Sequence, residues 1–173
     1  FVAPTGQDNG QCDNVLRPCK TIAYAVKQAS KGDRVLVAAG QYNIAETDEL
    51  FYLKSALVPI MGGYNRFDHF QSQSPRSNVS TLTNIPVDMA AQLRKQGFTV
   101  LTDGKSFKKN QALSDKISQY QQLSKRQQNT LCQDGKADVF SCKNIDLLAH
   151  VPLNDFSSRP ASGSDIWGHV DLN

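Results

Sequence analysis

Short apolar runs recur along the first half of the chain at a nearly constant interval. They lie at residues 35–37, 57–60 and 80–83, a step of about 22 residues, and the Gly-X-Tyr triplet at 40–42 is repeated at 62–64. A repeat of this length in β-type sequence is typical of a solenoid, in which each coil stacks on the previous one. Because no helical pattern separates the second and third runs, the spacing favours a parallel β-helix over βαβ units.

Other stretches predict the elements around these runs. Apolar residues at helical spacing predict helices over 21–31 and 87–95, and a thin apolar stripe predicts an amphipathic helix within the Lys-, Gln- and Ser-rich segment 105–132. Residues 51–53 (Phe-Tyr-Leu) and 98–101 (Phe-Thr-Val-Leu) are interpreted as short strands. The first half of the chain is therefore predicted to be mainly β with helical insertions.

Strand-like patterns return at the end of the chain. Residues 145–151 and 166–172 have strand-like patterns and are separated by a Ser/Pro/Gly loop, and the chain ends at Asn173, where a hairpin partner would be expected. We therefore expect a fragment of a longer polypeptide. The predicted division is 1–104 for the N-terminal module, 105–144 for a helical connector closed by a disulfide, and 145–173 for the first strands of an incomplete β domain.

The four cysteines form two local pairs, Cys12 with Cys19 and Cys132 with Cys142. Separations of seven and ten residues without nearby histidines favour disulfides over a zinc site. Buried free thiols and a crossed pairing stay open, since four cysteines allow three connectivities. Disulfides predict a secreted or cell-surface protein, with the periplasm as the alternative.

Several segments resemble known families. VAPTG at 2–6, PCKTI at 18–22, GDRVLVAAGQY at 32–42 and VPIMGGYNRF at 58–67 resemble the opening of pectate-lyase-like β-helix proteins. That resemblance implies a capping helix and the first coils of a right-handed parallel β-helix.

A second resemblance covers the whole chain. NRFDHF at 65–70, NIDLLAHV at 144–151 and SDIWGHVDLN at 164–173 are similar to the N-terminal region of choice-of-anchor B family proteins of bacteria, which carry LVIVD-type repeats. The resemblance implies export and makes 145–173 the first strands of a propeller-like β domain. It implies no reaction.

Charge and hydropathy exclude two classes of function. The net charge is +3, spread thinly along the chain, whereas a nucleic-acid binder concentrates its basic residues on one face. No stretch has the roughly 18 uninterrupted apolar residues that a membrane span requires. We therefore predict neither a nucleic-acid partner nor a membrane span.

Catalytic signals are weak. A polysaccharide lyase on a β-helix needs acidic calcium ligands and an Arg or Lys base on one outward face. Arg34 and Arg66 are more simply interpreted as surface residues of turns. Glu46, Asp48 and Glu49 are the densest acidic cluster and the main calcium candidates; their spacing does not match an EF-hand, so a solvated turn is the favoured interpretation. For Asp8, Asn9 and Asp13 around Gly10, Asx turns are the simpler interpretation. No other cofactor is predicted.

Two further groups are candidates for ligand or partner contact. On a strand His169, Asp165 and Asp171 share one face, and Trp167 lies among them. The aromatic residues Tyr42, Tyr64, Phe67 and Phe70 follow the coil turns, where they either close the core or stack on sugars.

The favoured function is a non-catalytic binding or display module of an exported bacterial protein. Its partner would be the remainder of the same precursor or another polypeptide, contacted through the strands of 145–173. A carbohydrate-active or carbohydrate-binding β-helix, with polysaccharide as ligand, is the first alternative. The second is a subunit that completes a sheet in a larger assembly by β-augmentation.

Overall fold

The computed structural model describes residues 1–30 and 32–157. The chain divides into two compact units, of which the first is Phe1–Ser118 and the second starts at Gln119. The division falls inside helix α4 (Gln111–Leu123).

Helix α1 (Ile22–Gln28) follows the first loop, as the sequence predicts. Thr21 is its N-cap, and the Thr21 hydroxyl accepts a hydrogen bond from the Tyr24 backbone N–H at 3.2 Å. Asp8 accepts bonds from the backbone N–H groups of Lys20 and Thr21 at 2.8 and 2.9 Å, which ties the loop to the start of the helix. Ile22, Ala25 and Val26 form the buried face.

Two parallel sheets follow. Strand β1 (Val35–Ala38) pairs with β3 (Ile60–Tyr64), and Val2 bridges to the other side of β1 at Val37. The second sheet has the order β2-β4-β5 and consists of β2 (Gly40–Asn43), β4 (Ser80–Ile85) and β5 (Phe98–Thr102). The inward side chains of both sheets, such as Val37, Ile60 and Leu82, are almost fully buried.

The third apolar run pairs differently from what its spacing indicates. Residues 80–83 lie opposite 40–43, not beside the run at 57–60. Only Ala39 separates β1 from β2, so one pass of the chain contributes strands to both sheets. The Ser80 hydroxyl lies 2.9 Å from the Ala38 carbonyl oxygen and anchors the start of β4 at this corner. The run at 57–60 also overlaps its strand, β3, only at Ile60, so the recurring composition locates strands within a few residues but does not specify their partners.

The predicted short strand at 51–53 is wrong: these residues belong to helix α2 (Thr47–Ser55). Asp48 in the first turn complements the helix dipole, and Ala56 ends the helix in the left-handed conformation with φ 53°. A three-residue aromatic and aliphatic run is too short for its periodicity to distinguish strand from helix.

The next elements agree with the sequence prediction. A 3₁₀ turn (Val87–Met89) leads into helix α3 (Ala90–Lys95), which delivers the chain to β5. Gly97 lies between α3 and β5 and has a φ of +90°. A Cβ atom at this position would be 2.6 Å from the Gly62 carbonyl oxygen. Only glycine fits this position.

Helix α4 has a thin buried face, as predicted from its apolar stripe. A 3₁₀ turn (Phe107–Lys109) precedes it, and within the helix Leu113 and Ile117 are buried. Lys116 forms an ion pair with Asp48, and its ammonium lies 5.3 Å from the centre of the Phe51 ring. These contacts join α4 to α2 within the first unit.

The second unit is built from short antiparallel pairs. Strand β6 (Gln127–Thr130) pairs with β9 (Leu147–His150), and β7 (Lys136–Ala137) pairs with β8 (Phe140–Ser141). A 3₁₀ turn (Leu153–Asp155) follows. Among the side chains of the second unit that are described at 119–153 and 155–157, Ala137 and Pro152 are buried.

Each cysteine is bonded to its local partner. The Cα atoms of Cys12 and Cys19 are 5.3 Å apart, those of Cys132 and Cys142 are 5.8 Å apart, and both distances suit a disulfide. Cys12 and Cys19 are buried, whereas Cys132 and Cys142 are half-buried.

Helix and strand contribute almost equally to the structure, at 28% and 26%. The prediction of a mainly β chain therefore overstates the share of strand, since the helices and 3₁₀ turns account for as much of the described chain as the strands do. Within 1–30 and 32–157 the sheets are small, with two or three strands each, and none closes into a barrel. No helix in this part of the chain is both long and apolar enough to cross a bilayer.

Candidate binding site

The four aromatic residues at the coil turns have different environments. Tyr42, Tyr64 and Phe70 are buried, and burial raises the pKa of Tyr42, whose hydroxyl donates to the Ala38 carbonyl at 2.9 Å. Phe67, by contrast, is 91% exposed. Exposing an aromatic ring forgoes the hydrophobic stabilisation that its neighbours gain. Phe67 is therefore the turn aromatic available to a ligand.

The loop that carries Phe67 is held by its own hydrogen bonds. The Phe67 N–H donates to the Asn65 side-chain oxygen at 2.8 Å, and the Phe70 N–H donates to the Asn65 carbonyl at 3.0 Å. Asp68 accepts from the Gln71 N–H at 3.3 Å and from the Ser72 hydroxyl at 3.0 Å. These bonds restrict the conformations of the turn.

Two consecutive residues of this loop have unfavourable backbone angles. His69 and Phe70 have φ of 59° and 57°, a region that residues other than glycine occupy rarely. The buried Phe70 ring packs against Phe1 at a centroid distance of 4.9 Å and belongs to a core cluster with Ala3, Ala38 and Tyr64. The packing of Phe70 therefore compensates for the strain.

A pocket of about 220 Å³ lies beside the exposed ring. Its floor includes Ala3 and Ala38, which belong to the same core cluster as Phe70. The lining residues are Ala3, Pro4, Thr5, Ala38, Ala39, Asn65, Arg66 and Phe67.

Arg66 is the charged residue in the pocket lining. Its guanidinium donates a hydrogen bond to the Thr5 hydroxyl, which is neutral. Within 1–30 and 32–157 no carboxylate forms an ion pair with Arg66; the two pairs found are Lys116 with Asp48 and Arg126 with Asp155. The positive charge beside the pocket is therefore not neutralised by a direct partner.

The three calcium candidates lie at the start of helix α2 and have separate environments. Glu46 is the exposed N-cap residue, and Asp48 is paired with Lys116, whose hydrogen bond lowers the pKa of the Asp48 carboxyl. Glu49 is 7% exposed, and burial raises the pKa of its carboxyl. No group of three or more His, Cys, Asp or Glu side chains in the described part of the chain could hold a metal ion.

Glu49 lines a second pocket, of about 230 Å³, between the start of α1 and strand β2. Its carboxylate accepts one long hydrogen bond, 3.4 Å, from the Ala45 N–H. Lys20, Tyr42 and Asn43 line the same pocket. A buried carboxyl with a raised pKa is a common feature of active sites, but this one has no partner positioned for proton transfer among the described residues.

The remaining candidates are divided between described and undescribed parts of the chain. Trp167, His169, Asp165 and Asp171 lie outside the described residues, as does the predicted strand 166–172. In the second unit, His150 Nε2 lies 2.8 Å from the Leu123 carbonyl oxygen, and its ring packs against Phe140.

Comparisons with protein-family models, with curated proteins and with solved structures found no match. The site is therefore assigned from its own chemistry.

The sequence alone does not distinguish Phe67 from the three other aromatic residues at the coil turns, and it predicts that Arg66 is an ordinary surface residue of a turn. One signal separates Phe67 from the others: it follows Asn65 by two residues, and Asn side chains bond to the backbone N–H two residues on. That arrangement predicts a turn at 65–67, but the exposure of the ring depends on tertiary packing.

Proposed function

We propose that this chain is a non-catalytic binding module of an exported bacterial protein, and that the Phe67 pocket is its binding surface. The resemblance of 65–70 and 144–151 to choice-of-anchor B proteins supports this origin. Both disulfides support an oxidising compartment, whether secreted, cell-surface or periplasmic.

For the fold we propose the opening of a right-handed parallel β-helix. The two parallel sheets support this interpretation, because β1 and β2 follow each other in the chain yet pair with β3 and β4 respectively. Consecutive strands that enter different sheets are what the coils of such a solenoid require. A helix that precedes the first coil, α1, corresponds to the cap that the pectate-lyase-like resemblance implies.

The observation that carries the binding function is the 91% exposure of Phe67 on a hydrogen-bonded loop beside a pocket. Aromatic and arginine side chains contribute most of the binding energy at protein interfaces and are common at ligand sites. A loop already fixed in one conformation loses little entropy when it binds.

The test uses the 173-residue chain on arrays of bacterial oligosaccharides and of peptides, together with the Phe67→Ala variant. We expect at least one ligand whose signal falls about tenfold or more in Phe67→Ala, since truncation of a central aromatic residue costs about 2 kcal/mol of binding energy. The melting temperature should stay within about 2 °C of wild type, because the removed ring is exposed.

Phe156→Ala is the matched control, because Phe156 is 47% exposed and lies in the second unit. It should leave array binding unchanged. If every bound ligand binds wild type and Phe67→Ala equally, the proposed binding surface is wrong.

Carbohydrate binding is the second candidate for the same surface. The observation that favours it is the exposed ring at a turn of a β-helix-like fold, since sugars stack on aromatic faces. Oligosaccharide spots whose signal depends on Phe67 would support this candidate.

A further inference from the structure

We propose that the Phe67 pocket docks a short segment of a partner polypeptide. One apolar side chain of the partner enters the pocket, and a neighbouring Asp or Glu side chain pairs with Arg66. This inference rests on the proposed function, because it names the class of partner for the same site.

The composition of the pocket favours an apolar side chain over a sugar. Five of the eight lining residues are apolar: Ala3, Pro4, Ala38, Ala39 and Phe67. A sugar requires several polar groups that can bond to its hydroxyls, whereas an apolar side chain requires only the removal of apolar surface from water. The volume of about 220 Å³ is also below the usual range for drug-sized ligands, so it suits a single side chain.

The polar residues of the lining already have partners within the protein. The Asn65 side-chain oxygen accepts from the Phe67 N–H, and the Thr5 hydroxyl accepts from Arg66. The Asn65 and Thr5 oxygens therefore already accept bonds within the protein, which leaves few free acceptors in the pocket for the hydroxyl donors of a sugar. The guanidinium of Arg66, which has five N–H donors, retains donors for a further acceptor.

The charge of Arg66 specifies the second part of the partner. Arginine binds carboxylates through its planar fork, and no carboxylate of the described residues forms an ion pair with it. A carboxylate of a partner polypeptide would form the ion pair with Arg66. Charge complementarity therefore favours an acidic segment.

The carboxylate of the partner that pairs with Arg66 could belong to an Asp or Glu side chain or to a chain terminus, and the backbone of the loop favours the side chain. Terminal carboxylates are captured by clusters of free backbone N–H groups. Here the N–H groups of Phe67, His69, Phe70 and Gln71 all donate within the loop. With these four N–H groups occupied, the loop offers no cluster of free backbone donors, and the Arg66 guanidinium is the charged donor of the pocket, which fits an Asp or Glu side chain.

The test is a titration of the ¹⁵N-labelled 173-residue chain with two blocked dipeptides, acetyl-Phe-Asp-amide and acetyl-Phe-Asn-amide, followed by NMR. We expect acetyl-Phe-Asp-amide to bind with a dissociation constant in the millimolar range, as is usual for ligands of this size. The amide signals of Thr5, Ala39 and Phe67 should shift. The Asn dipeptide should bind about threefold more weakly, because it lacks the charge that pairs with Arg66.

Two variants separate the parts of the proposal. Arg66→Gln should bind both dipeptides equally, and Phe67→Ala should bind neither measurably. Arg76→Gln, which changes an exposed arginine absent from the pocket lining, is the control and should behave as wild type.

Failure of this inference differs from failure of the proposed function. If the dipeptides leave the pocket signals unchanged while an oligosaccharide on the array binds in a Phe67-dependent way, the polypeptide partner is wrong and the binding module stands. If wild type binds both dipeptides equally, the acidic requirement is wrong. If neither the array nor the titration finds a ligand that depends on Phe67, both proposals fail.

Discussion

Ser80 is a buried polar side chain at the corner between the two sheets. It is fully buried, and its hydroxyl oxygen lies 3.1 Å from the Val37 carbonyl and 2.9 Å from the Ala38 carbonyl. The same oxygen accepts a hydrogen bond from the Gly63 N–H at 2.9 Å. One side chain of β4 is thus bonded to β1 and β3.

We expect Ser80→Ala to lower the free energy of unfolding by about 1–3 kcal/mol, because the Gly63 N–H is left buried without an acceptor. Urea denaturation measures the change. Ser77→Ala, at an exposed position of the preceding loop, is the control and should stay within about 0.5 kcal/mol of wild type. Equal effects of the two substitutions would contradict the role given to Ser80.

Glu49 makes the stability of the protein depend on pH. Burial raises the pKa of its carboxyl in the folded state, so the folded protein holds this proton more tightly than the unfolded chain does. Stability from this group is therefore highest below the ordinary glutamate pKa, about 4.3, and is lost as the pH rises from that value through the raised pKa of the folded state.

Glu49→Gln removes the charge while keeping an oxygen that can accept from Ala45. We expect the variant to melt at a higher temperature than wild type at pH 7 and at the same temperature at pH 3, where both forms are neutral. Glu46→Gln, at the exposed N-cap, is the control and should change neither value by more than about 2 °C. A Glu49→Gln effect of equal size at both pH values would mean that charge is not the cause.

Helix α4 is stabilised by few buried side chains. Leu113 is fully buried and Ile117 is 7% exposed, while the rest of the helix is half-buried or exposed. Asn110 accepts the Leu113 N–H at 3.1 Å, which satisfies one free donor of the first turn. Because Leu113 is the most deeply buried side chain of α4, the docking of the helix depends strongly on it.

We expect Leu113→Ala to cost about 2–5 kcal/mol, since it leaves a cavity under the helix. Hydrogen exchange should increase across 111–123. The control is Leu123→Ala, a leucine of the same helix that is 36% exposed, which should cost less than about 1 kcal/mol. If exchange across the helix were unchanged in Leu113→Ala, the buried stripe would not be what holds α4.

Helices α1 and α2 show which elements local sequence can predict. Helix α1 has a capping threonine and an apolar stripe, so it was predicted within a few residues of its bounds, and the structure confirms it. Helix α2 has no side-chain hydrogen bond at its N-cap, and four adjacent or near-adjacent residues, Glu49, Leu50, Phe51 and Leu53, are buried. Such a run has no clear period, so packing rather than local pattern determines the helix.

The disulfides affect the two units differently. In the first unit the Cys12–Cys19 bond adds to a core of two sheets and several helices. In the second unit the Cys132–Cys142 bond is accompanied by two buried residues, Ala137 and Pro152, among the side chains described at 119–153 and 155–157. Small folds with little core depend on such crosslinks.

We therefore expect Cys132→Ser/Cys142→Ser to increase hydrogen exchange throughout 119–157 while leaving the sheets of the first unit protected. Cys12→Ser/Cys19→Ser should leave the second unit unchanged and lower the stability of the first by about 2.5 kcal/mol, the loop-closure effect of a short crosslink. Mild reduction should open the half-buried Cys132–Cys142 bond first, which alkylation and mass spectrometry can follow. Protected amides in the second unit after its bond is removed would contradict this prediction.

The amino-acid sequence favoured the correct features where they depend on neighbouring residues: the local cysteine pairs, the capped helix α1, and the strands at 35–38 and 98–102. Tertiary structure decided the features that depend on distant residues. It paired 80–83 with 40–43, folded 51–53 into a helix, paired Asp48 with Lys116, and exposed Phe67 while burying Tyr42, Tyr64 and Phe70. The physical reason is that propensity and capping act within one turn of the chain, whereas burial and pairing are set by whichever surfaces the whole chain brings together.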